Sequence, residues 1–146
     1  MEGYMEDKGA QEINYLLHSI LFNEQRLFNE QSTNLDLTVQ QARTLELIQK
    51  DPGMIQREIA DALSIRDASV SSMLKNLERD GYVKRRKDRR SDRNKRIFLT
   101  DKGEEIIKEL GNLFEDVEKQ IIKPLEKDET KLLLKLLRKM DAEISE

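Results

Sequence analysis

Residues 67–100 read DASVSSMLKNLERDGYVKRRKDRRSDRNKRIFLT, and this stretch decides the fold. Apolar residues in its first part recur at the i, i+3, i+4, i+7 spacing, which predicts an amphipathic helix over 67–79. These apolar residues are Val70, Met73, Leu74 and Leu77. Gly81 follows at the place where a left-handed glycine commonly ends a helix. The helix therefore has one face for a core and one face for solvent or a partner.

The second part of the stretch predicts a β-hairpin. The segments YVKRRK (82–87) and KRIFLT (95–100) have the length and the boundaries of short strands. Val83 pairs naturally with Ile97 and Leu99 as inward-facing residues of two antiparallel strands. The cationic segment between the strands is thus expected at the tip of a hairpin rather than in a free tail.

The chain is acidic overall, with a net charge of −3, but its cations are concentrated in this hairpin. From Lys84 to Arg96 there are nine Lys or Arg and two Asp, a net of +7, so the remainder carries −10. Such a run is either a solvated charge cluster or a surface that binds anions, above all a polyphosphate backbone. The flanking strands favour the second interpretation.

The remaining segments predict helices on both sides of this stretch. Thr38 and Gln41 have the spacing of a capping box, in which two side chains satisfy backbone N–H groups at a helix start. The predicted helices cover about 9–31, 39–50, a short piece of 55–65, one long helix from 100 or 101 to just before Pro124, and 129–144. A helix-turn-helix followed by a two-stranded hairpin is a winged helix. The predicted fold class is mainly α with a small antiparallel β wing, on a winged helix-turn-helix core with long N- and C-terminal helices.

Composition excludes several classes of protein. The absence of cysteine excludes disulfides, thiolate zinc sites and cysteine-based redox sensing. No apolar run approaches the roughly 18 residues of a membrane span, and the acidic N-terminus lacks the pattern of a signal peptide. We therefore expect a soluble, cytoplasmic protein without a membrane partner. We find no nucleophile–base pair, no phosphate-binding glycine loop and no metal-ligand spacing, so we expect no enzyme, no metal and no cofactor.

The helix over 67–79 offers polar side chains once its apolar face is buried. The side chains on its other face are Ser69, Ser71, Ser72, Lys75, Asn76 and Arg79. Serine hydroxyls bond base edges or phosphate oxygens, and the positive end of the helix dipole favours phosphate. Taken alone, the serines fit helix capping or a solvated surface. Beside a cationic hairpin they favour double-stranded DNA, whose major groove is about 12 Å wide and admits a helix.

The segment LSIRDASVSSMLKNLERDGYVKRRKDRRSDRNKRIFLTDKG (63–103) resembles the MarR (multiple-antibiotic-resistance regulator) family of winged-helix transcription factors. The most specific part is Asp88-x-Arg90-x-x-Arg93 followed by IFLTDKG, and LERDGYV adds to it. The resemblance implies a homodimer whose N- and C-terminal helices interlock and which presents one winged helix to each half of a palindromic operator. The corresponding domains are an N-terminal dimerisation helix in 1–37, a winged helix-turn-helix DNA-binding lobe in 38–100, and C-terminal dimerisation helices in 101–146.

The resemblance also assigns roles by position. Arg90 is expected at the wing tip and in the minor groove, where narrow A·T-rich DNA attracts guanidinium groups. Asp88 is expected to pair with an arginine of the turn and to fix its shape, with Arg93 either as that partner or as a phosphate contact. The other expected DNA contacts are Arg66, Ser69, Ser71, Ser72, Lys75, Arg89 and Lys95.

Two positions depart from the common pattern of the family. Ile55 stands where a helix-capping threonine is frequent, and Ser72 stands where an arginine is frequent on the reading helix. With serine at position 72 the helix has fewer groups for direct base contact. We therefore expect more of the affinity to rest on the wing and on contacts to phosphates.

The resemblance further implies a small-molecule site where the dimerisation helices meet the DNA-binding lobe, for a phenolic or other amphipathic anion. Tyr15, His18, Phe22 and Phe114 are the candidates because they lie on the corresponding helices. The expected function is a dimeric, sequence-specific DNA-binding regulator, namely a repressor that such an effector releases from its operator. The alternative is a helical protein–protein adaptor whose basic hairpin docks an acidic partner.

Overall fold

The computed structural model describes residues 2–32 and 35–145, apart from the side chains of residues 4, 5 and 91–94. Its elements in chain order are α1 (Glu2–Gln31), α2 (Val39–Lys50), β1 (Met54–Ile55), α3 (Gln56–Leu63), α4 (Asp67–Arg79), β2 (Val83–Asp88), β3 (Ser91–Leu99), α5 (Asp101–Leu110), α6 (Leu113–Ile122) and α7 (Lys127–Ile144). The strands form one antiparallel sheet in the order β1-β3-β2. The predicted fold class, mainly α with a small antiparallel wing, is confirmed.

The chain divides into two compact units. One unit is residues 29–111, which hold α2 to α5 and the sheet. The other unit is residues 1–28 with 112–146, which hold most of α1 together with α6 and α7. The assignment of separate roles to 1–37, 38–100 and 101–146 stays a prediction.

The core of the unit 29–111 is built from the apolar faces that the sequence predicts. Helix α2 begins with the predicted capping box, in which the Gln41 N–H donates to Thr38 Oγ1 (3.1 Å) and the Thr38 N–H donates to Gln41 Oε1 (3.0 Å). Helix α3 packs beside α4, and α2 packs against β3 and α5. The side chains buried most completely in this unit include Leu45, Ile48, Ile59, Val70, Leu74, Leu77 and Ile97. Helix α4 is thereby fixed by one face, and its other face remains exposed.

The prediction of one long helix between residues 100 and 123 is wrong. Helix α5 ends at Leu110 and α6 begins at Leu113. Gly111 between them has φ +52° and ψ −122°, a conformation that favours glycine. The apolar spacing continues in phase across the break, so periodicity alone could not reveal it.

Other element boundaries also differ from the prediction. Helix α1 begins at Glu2 rather than near residue 9. The residues before Ile13 show no apolar periodicity, so the sequence did not mark these first turns as helix. Strand β3 begins at Ser91 rather than 95, which leaves only two residues in the hairpin turn. Strand β1 was not predicted, since two residues are too few for a pattern. Its Met54 pairs with Ile97 of β3.

The unit of α1, α6 and α7 has an internal aromatic contact and a large exposed apolar surface. The rings of Phe28 and Phe114 stack with centroids 4.8 Å apart and an angle of 23°. Helix α7 has no buried residue, although it carries large apolar side chains along its whole length. Among residues 2–32 and 35–145 no helix is long and apolar enough to cross a membrane.

Candidate nucleic-acid interface

Helix α4 presents a polar face because most of its apolar stripe is covered, although Met73, predicted to face inward, is only half-buried. Val70, Leu74 and Leu77 have an exposed fraction of 0%. On the far side of the helix the exposed residues are Ser69, Ser72, Lys75, Asn76 and Arg79. Ser71 is half-buried at the edge of this face. Arg79 lies most directly opposite the core, with Ser72 and Lys75 on either side of it, at the centre of the surface that could enter a groove.

Both ends of α4 are held by neighbouring groups. At its start, Gln56 Nε2 donates to the carbonyl oxygen and to Oδ1 of Asp67, both at 3.3 Å. Arg66 occupies the N-cap without a side-chain cap and is exposed. At its end, the Tyr82 N–H donates to Leu77 O (2.9 Å) across Gly81, which has φ +85° as predicted for the glycine that ends this helix. The reading helix is therefore fixed at both ends.

The wing of strands β2 and β3 carries the basic run on its strands as well as at its tip. Arg89 and Arg90 form the two-residue turn and are exposed, and Lys95 is exposed opposite Lys87. The side chain of Arg93 lies outside the described residues, so its predicted role stays a prediction. The wing is thus a cationic hairpin with two arginines in its turn.

The two faces of the sheet differ because side chains alternate along a strand. The inner face packs on α4 and contains Val83, Arg85 and Ile97. Arg85 Nε lies 2.8 Å from Glu78 Oε2 of α4, which makes an ion pair, but the two groups are not aligned for a hydrogen bond. The outer face carries Lys84, Arg86, Arg96 and Phe98, with Lys84 opposite Phe98 and Arg86 opposite Arg96. Cations therefore line both faces of the wing.

Among the described residues, Asp88 accepts hydrogen bonds from two groups of the wing. Its Oδ1 accepts the backbone N–H of Arg90 at 3.1 Å, and its Oδ2 accepts Arg96 Nη2 at 3.3 Å. The hydrogen bond from the Arg90 N–H holds the pKa of Asp88 below its ordinary value. Desolvation opposes this effect, and the Arg96 guanidinium adds to it. The sequence predicts an arginine partner for Asp88, with Arg93 either as that partner or as a phosphate contact, but it does not single out Arg96. A cation at position 96 is one of nine in the run, so no sequence signal singled it out.

The end of α4 is also fastened to the start of α5, through the two segments LERDGYV and LTDKG. The Thr100 N–H donates to Tyr82 O at 3.0 Å, and Lys102 Nζ donates to Asp80 O at 2.7 Å. The Lys102 ammonium also lies 4.6 Å from the centroid of the Tyr82 ring, as a cation–π contact. Gly103 is buried in this joint. The position of the reading helix is therefore coupled to α5.

The four candidates for effector binding differ in their surroundings. Tyr15, His18 and Phe22 follow one another at i, i+3, i+7 on one side of α1, and all three are exposed, Tyr15 by 70% and Phe22 by 68%. Phe114 is buried and stacks on Phe28. Three candidates thus form one exposed face, and the fourth belongs to a packed aromatic pair.

Comparison with known proteins gives the family. A model described as "MarR family" matches residues 35–96. The transcriptional regulator HosA of Escherichia coli O157:H7 is 30% identical over 72% of this chain and 78% of its own length. This chain belongs to the MarR family. The HTH-type transcriptional regulator BilQ of Clostridium symbiosum is 31% identical over 64% of this chain, an alignment that covers 65% of BilQ.

Solved structures agree with this assignment to the MarR family. The S. aureus MepR–DNA complex superposes on this chain with a TM-score of 0.83 at 27% identity, and the match covers 89% of this chain and 96% of MepR. In that structure MepR is in a complex with DNA. The predicted family is therefore confirmed, and the family model covers α2, β1, α3, α4, β2 and most of β3.

Proposed function

We propose that this MarR-family protein is a transcriptional regulator that binds double-stranded DNA through α4 and the wing. The observation that carries the proposal is the pairing of two surfaces in one unit. Helix α4 exposes Ser72 and Lys75 away from the buried Val70, Leu74 and Leu77, and the neighbouring hairpin ends in Arg89 and Arg90. A helix of this kind fits the major groove, and an arginine-tipped hairpin fits the adjacent minor groove.

The proposal includes a homodimer on a palindromic operator. Helices α1 and α7 expose apolar side chains that a single chain leaves in water, such as Leu16 (47%), Ile20 (46%) and Leu136 (47%). Exposed apolar surface of this extent is typical of an oligomer interface. A two-fold dimer would present two wings and two reading helices to two half-sites.

We also propose that the protein represses transcription and that a small amphipathic or phenolic effector releases it. Tyr15, His18, Phe22 and Phe114 remain the candidate contacts. The exposed side of α1 supports aromatic and hydrogen-bond contacts to such an effector. The test measures how far each of a panel of aromatic carboxylates releases the protein from DNA, in the wild type and in Phe22→Ala. If no compound of the panel releases the protein from DNA, this part of the proposal is contradicted.

The proposal predicts salt-dependent DNA binding that depends on Arg90. A palindrome selected from random duplexes should bind with log Kd rising steeply with log salt, with a slope of magnitude near 5 if about six phosphates are neutralised. Arg90→Gln should weaken binding by about 1–3 kcal/mol for each wing, because a guanidinium in the minor groove is lost. The measurement is fluorescence anisotropy at several salt concentrations.

Arg138→Gln is the matched control, because it removes the same charge from an exposed position on α7. It should leave both affinity and salt slope unchanged. Equal effects of the two substitutions would mean that only net charge matters. Binding of an acidic protein segment with no affinity for any duplex would instead favour the adaptor function.

A further inference from the structure

Arg96 connects three segments that are distant in sequence. Its Nη1 donates to Gly53 O at 2.9 Å, and its Nη2 donates to Asp88 Oδ2 at 3.3 Å. The other carboxylate oxygen of Asp88 accepts the N–H of Arg90 at 3.1 Å. One guanidinium thus links the turn before α3, the end of β2 and the tip of the wing.

The geometry of the sheet explains why Arg96 rather than Arg86 makes this link. Arg86 is the direct cross-strand partner of Arg96, and Asp88 lies two residues farther along the same face of β2. Long side chains reach such diagonal neighbours. The strand register shifts between Lys87 and Asp88, which brings Asp88 opposite Ser91. Arg86 lies on the same face, and within the described residues no ion pair joins it to Asp88.

The surroundings of Asp88 require a partner of opposite charge. Its side chain is only 14% exposed, whereas the Arg96 side chain is 45% exposed. A carboxylate that is largely removed from water is stable only if charges or donors replace the lost hydration. Arg96 supplies that charge, and the N–H of Arg90 supplies the second donor. The conformation of the tip is therefore tied to the Arg96 guanidinium.

The attachment to Gly53 gives the tip a fixed reference point. Gly53 has φ +90°, its N–H donates to Ile97 O at 2.9 Å, and the ring of Phe98 lies 3.4 Å from the position that a Cβ on Gly53 would take. Strand β1 and α3 follow directly in the chain. The turn at Gly53 is thus fixed to both the sheet and the helix-turn-helix.

We propose that Arg96 is a positioning residue for the wing tip, which sets the place of Arg90 relative to the helix-turn-helix through Asp88. The inference rests on the proposed function, because it concerns how the DNA-reading tip is aimed. It differs from a direct phosphate contact. A positioning residue acts on where Arg90 lies, and its own charge is already compensated by Asp88, so its loss should not remove a phosphate contact.

The test is a double-mutant cycle with a matched control. The variants are Arg96→Gln, Asp88→Asn, their combination, Arg86→Gln and the combination of Arg86→Gln with Asp88→Asn. Arg86→Gln removes the same charge from the position directly across the sheet. We expect Arg96→Gln to weaken DNA binding and to show a coupling of about three-fold to ten-fold in Kd with Asp88→Asn. Arg86→Gln should be additive with Asp88→Asn.

Two further readouts separate positioning from charge. Arg96→Gln should leave the salt slope of the wild type unchanged, whereas a lost phosphate contact lowers its magnitude by about 1 for each site. Arg96→Lys keeps the charge but lacks the planar fork that bonds two acceptors at once, so it should behave like Arg96→Gln rather than the wild type. A fully active Arg96→Lys variant would overturn the proposal.

A measurement on the free protein makes the inference independent of DNA. Amide hydrogen exchange of Arg90 should accelerate in Arg96→Gln and stay unchanged in Arg86→Gln, because only the former loosens the acceptor of that N–H. If Arg96→Gln and Arg86→Gln show the same rate of Arg90 amide exchange and the same coupling to Asp88→Asn in DNA affinity, Arg96 is not a positioning residue, although the protein still binds DNA. If the wild type binds no duplex while Arg90 exchange still responds only to Arg96→Gln, the proposed function fails and the structural link remains.

Discussion

Replacing Gly103 by alanine is expected to lower the free energy of unfolding by about 3 kcal/mol, because an added methyl group has no room there. A Cβ at this position would lie 2.3 Å from the backbone oxygen of Tyr82 and 3.3 Å from Leu99 Cδ2. The Tyr82 oxygen cannot retreat freely, since it accepts the Thr100 N–H at 3.0 Å. Relief of the clash must therefore separate the start of α5 from the end of α4. Urea unfolding followed by circular dichroism measures the change.

Gly9→Ala is the matched control for this prediction. Gly9 lies inside α1, and among the described residues no atom outside its chain neighbours and the backbone of the helix lies within 4 Å of the position that its Cβ would take. Alanine is favoured over glycine in a helix interior by about 1 kcal/mol, so this substitution should leave the protein equally stable or more stable. If Gly103→Ala is as stable as the wild type, residue 103 does not approach the Tyr82 carbonyl oxygen closely enough to exclude a methyl group.

The reason for Gly103 could not be read from its local sequence. The segment LTDKG was noticed as part of a family pattern, but the glycine is required by the Tyr82 carbonyl, 21 positions earlier in the chain. A helix start alone tolerates many residues at this position. Contacts between segments far apart in sequence depend on how elements pack, and periodicity carries no information about them.

Elements with one buried face were predictable because their apolar residues recur with the period of the structure. Helices α2 and α4 and the pairing of Val83 with Leu99 follow from such patterns. The break at Gly111 was missed because a glycine in phase with a helical stripe is compatible with both a straight and a broken helix. The predicted strands of the wing are too short for a related reason. Most of the basic run is exposed, so no apolar alternation marks it as strand.

The candidate DNA-binding face was accessible to sequence reasoning in part. The serines and Lys75 were placed opposite the apolar stripe by spacing, and the arginines of the tip by the hairpin. Arg96 was not, because its partner depends on the irregular register at Asp88. Side-chain pairing across a bulged hairpin requires the backbone.

Introducing glutamate at both Leu133 and Met140 of α7 is expected to convert a dimer into monomers and to weaken operator binding by about 10²- to 10⁴-fold. Leu133 and Met140 lie seven positions apart on one side of α7, and each has 40% of its side chain exposed. In a two-fold dimer every substitution occurs twice, so four carboxylates would enter one apolar interface. Each unpaired charge removed from water costs several kcal/mol, which exceeds the gain from burying the leucine it replaces. Sedimentation equilibrium measures the dimer, and fluorescence anisotropy measures the DNA affinity.

Ala142→Glu tests whether the effect comes from the apolar face or from added negative charge. Ala142 is exposed on the opposite side of α7, and its replacement adds the same carboxylate as each change in the double variant. We expect Ala142→Glu to remain a dimer with wild-type affinity, because a carboxylate that stays in water has no desolvation cost. A dimer that survives Leu133→Glu with Met140→Glu would place the interface elsewhere. A monomer that still binds the palindrome as tightly as the wild type would contradict the dependence of binding on two linked wings.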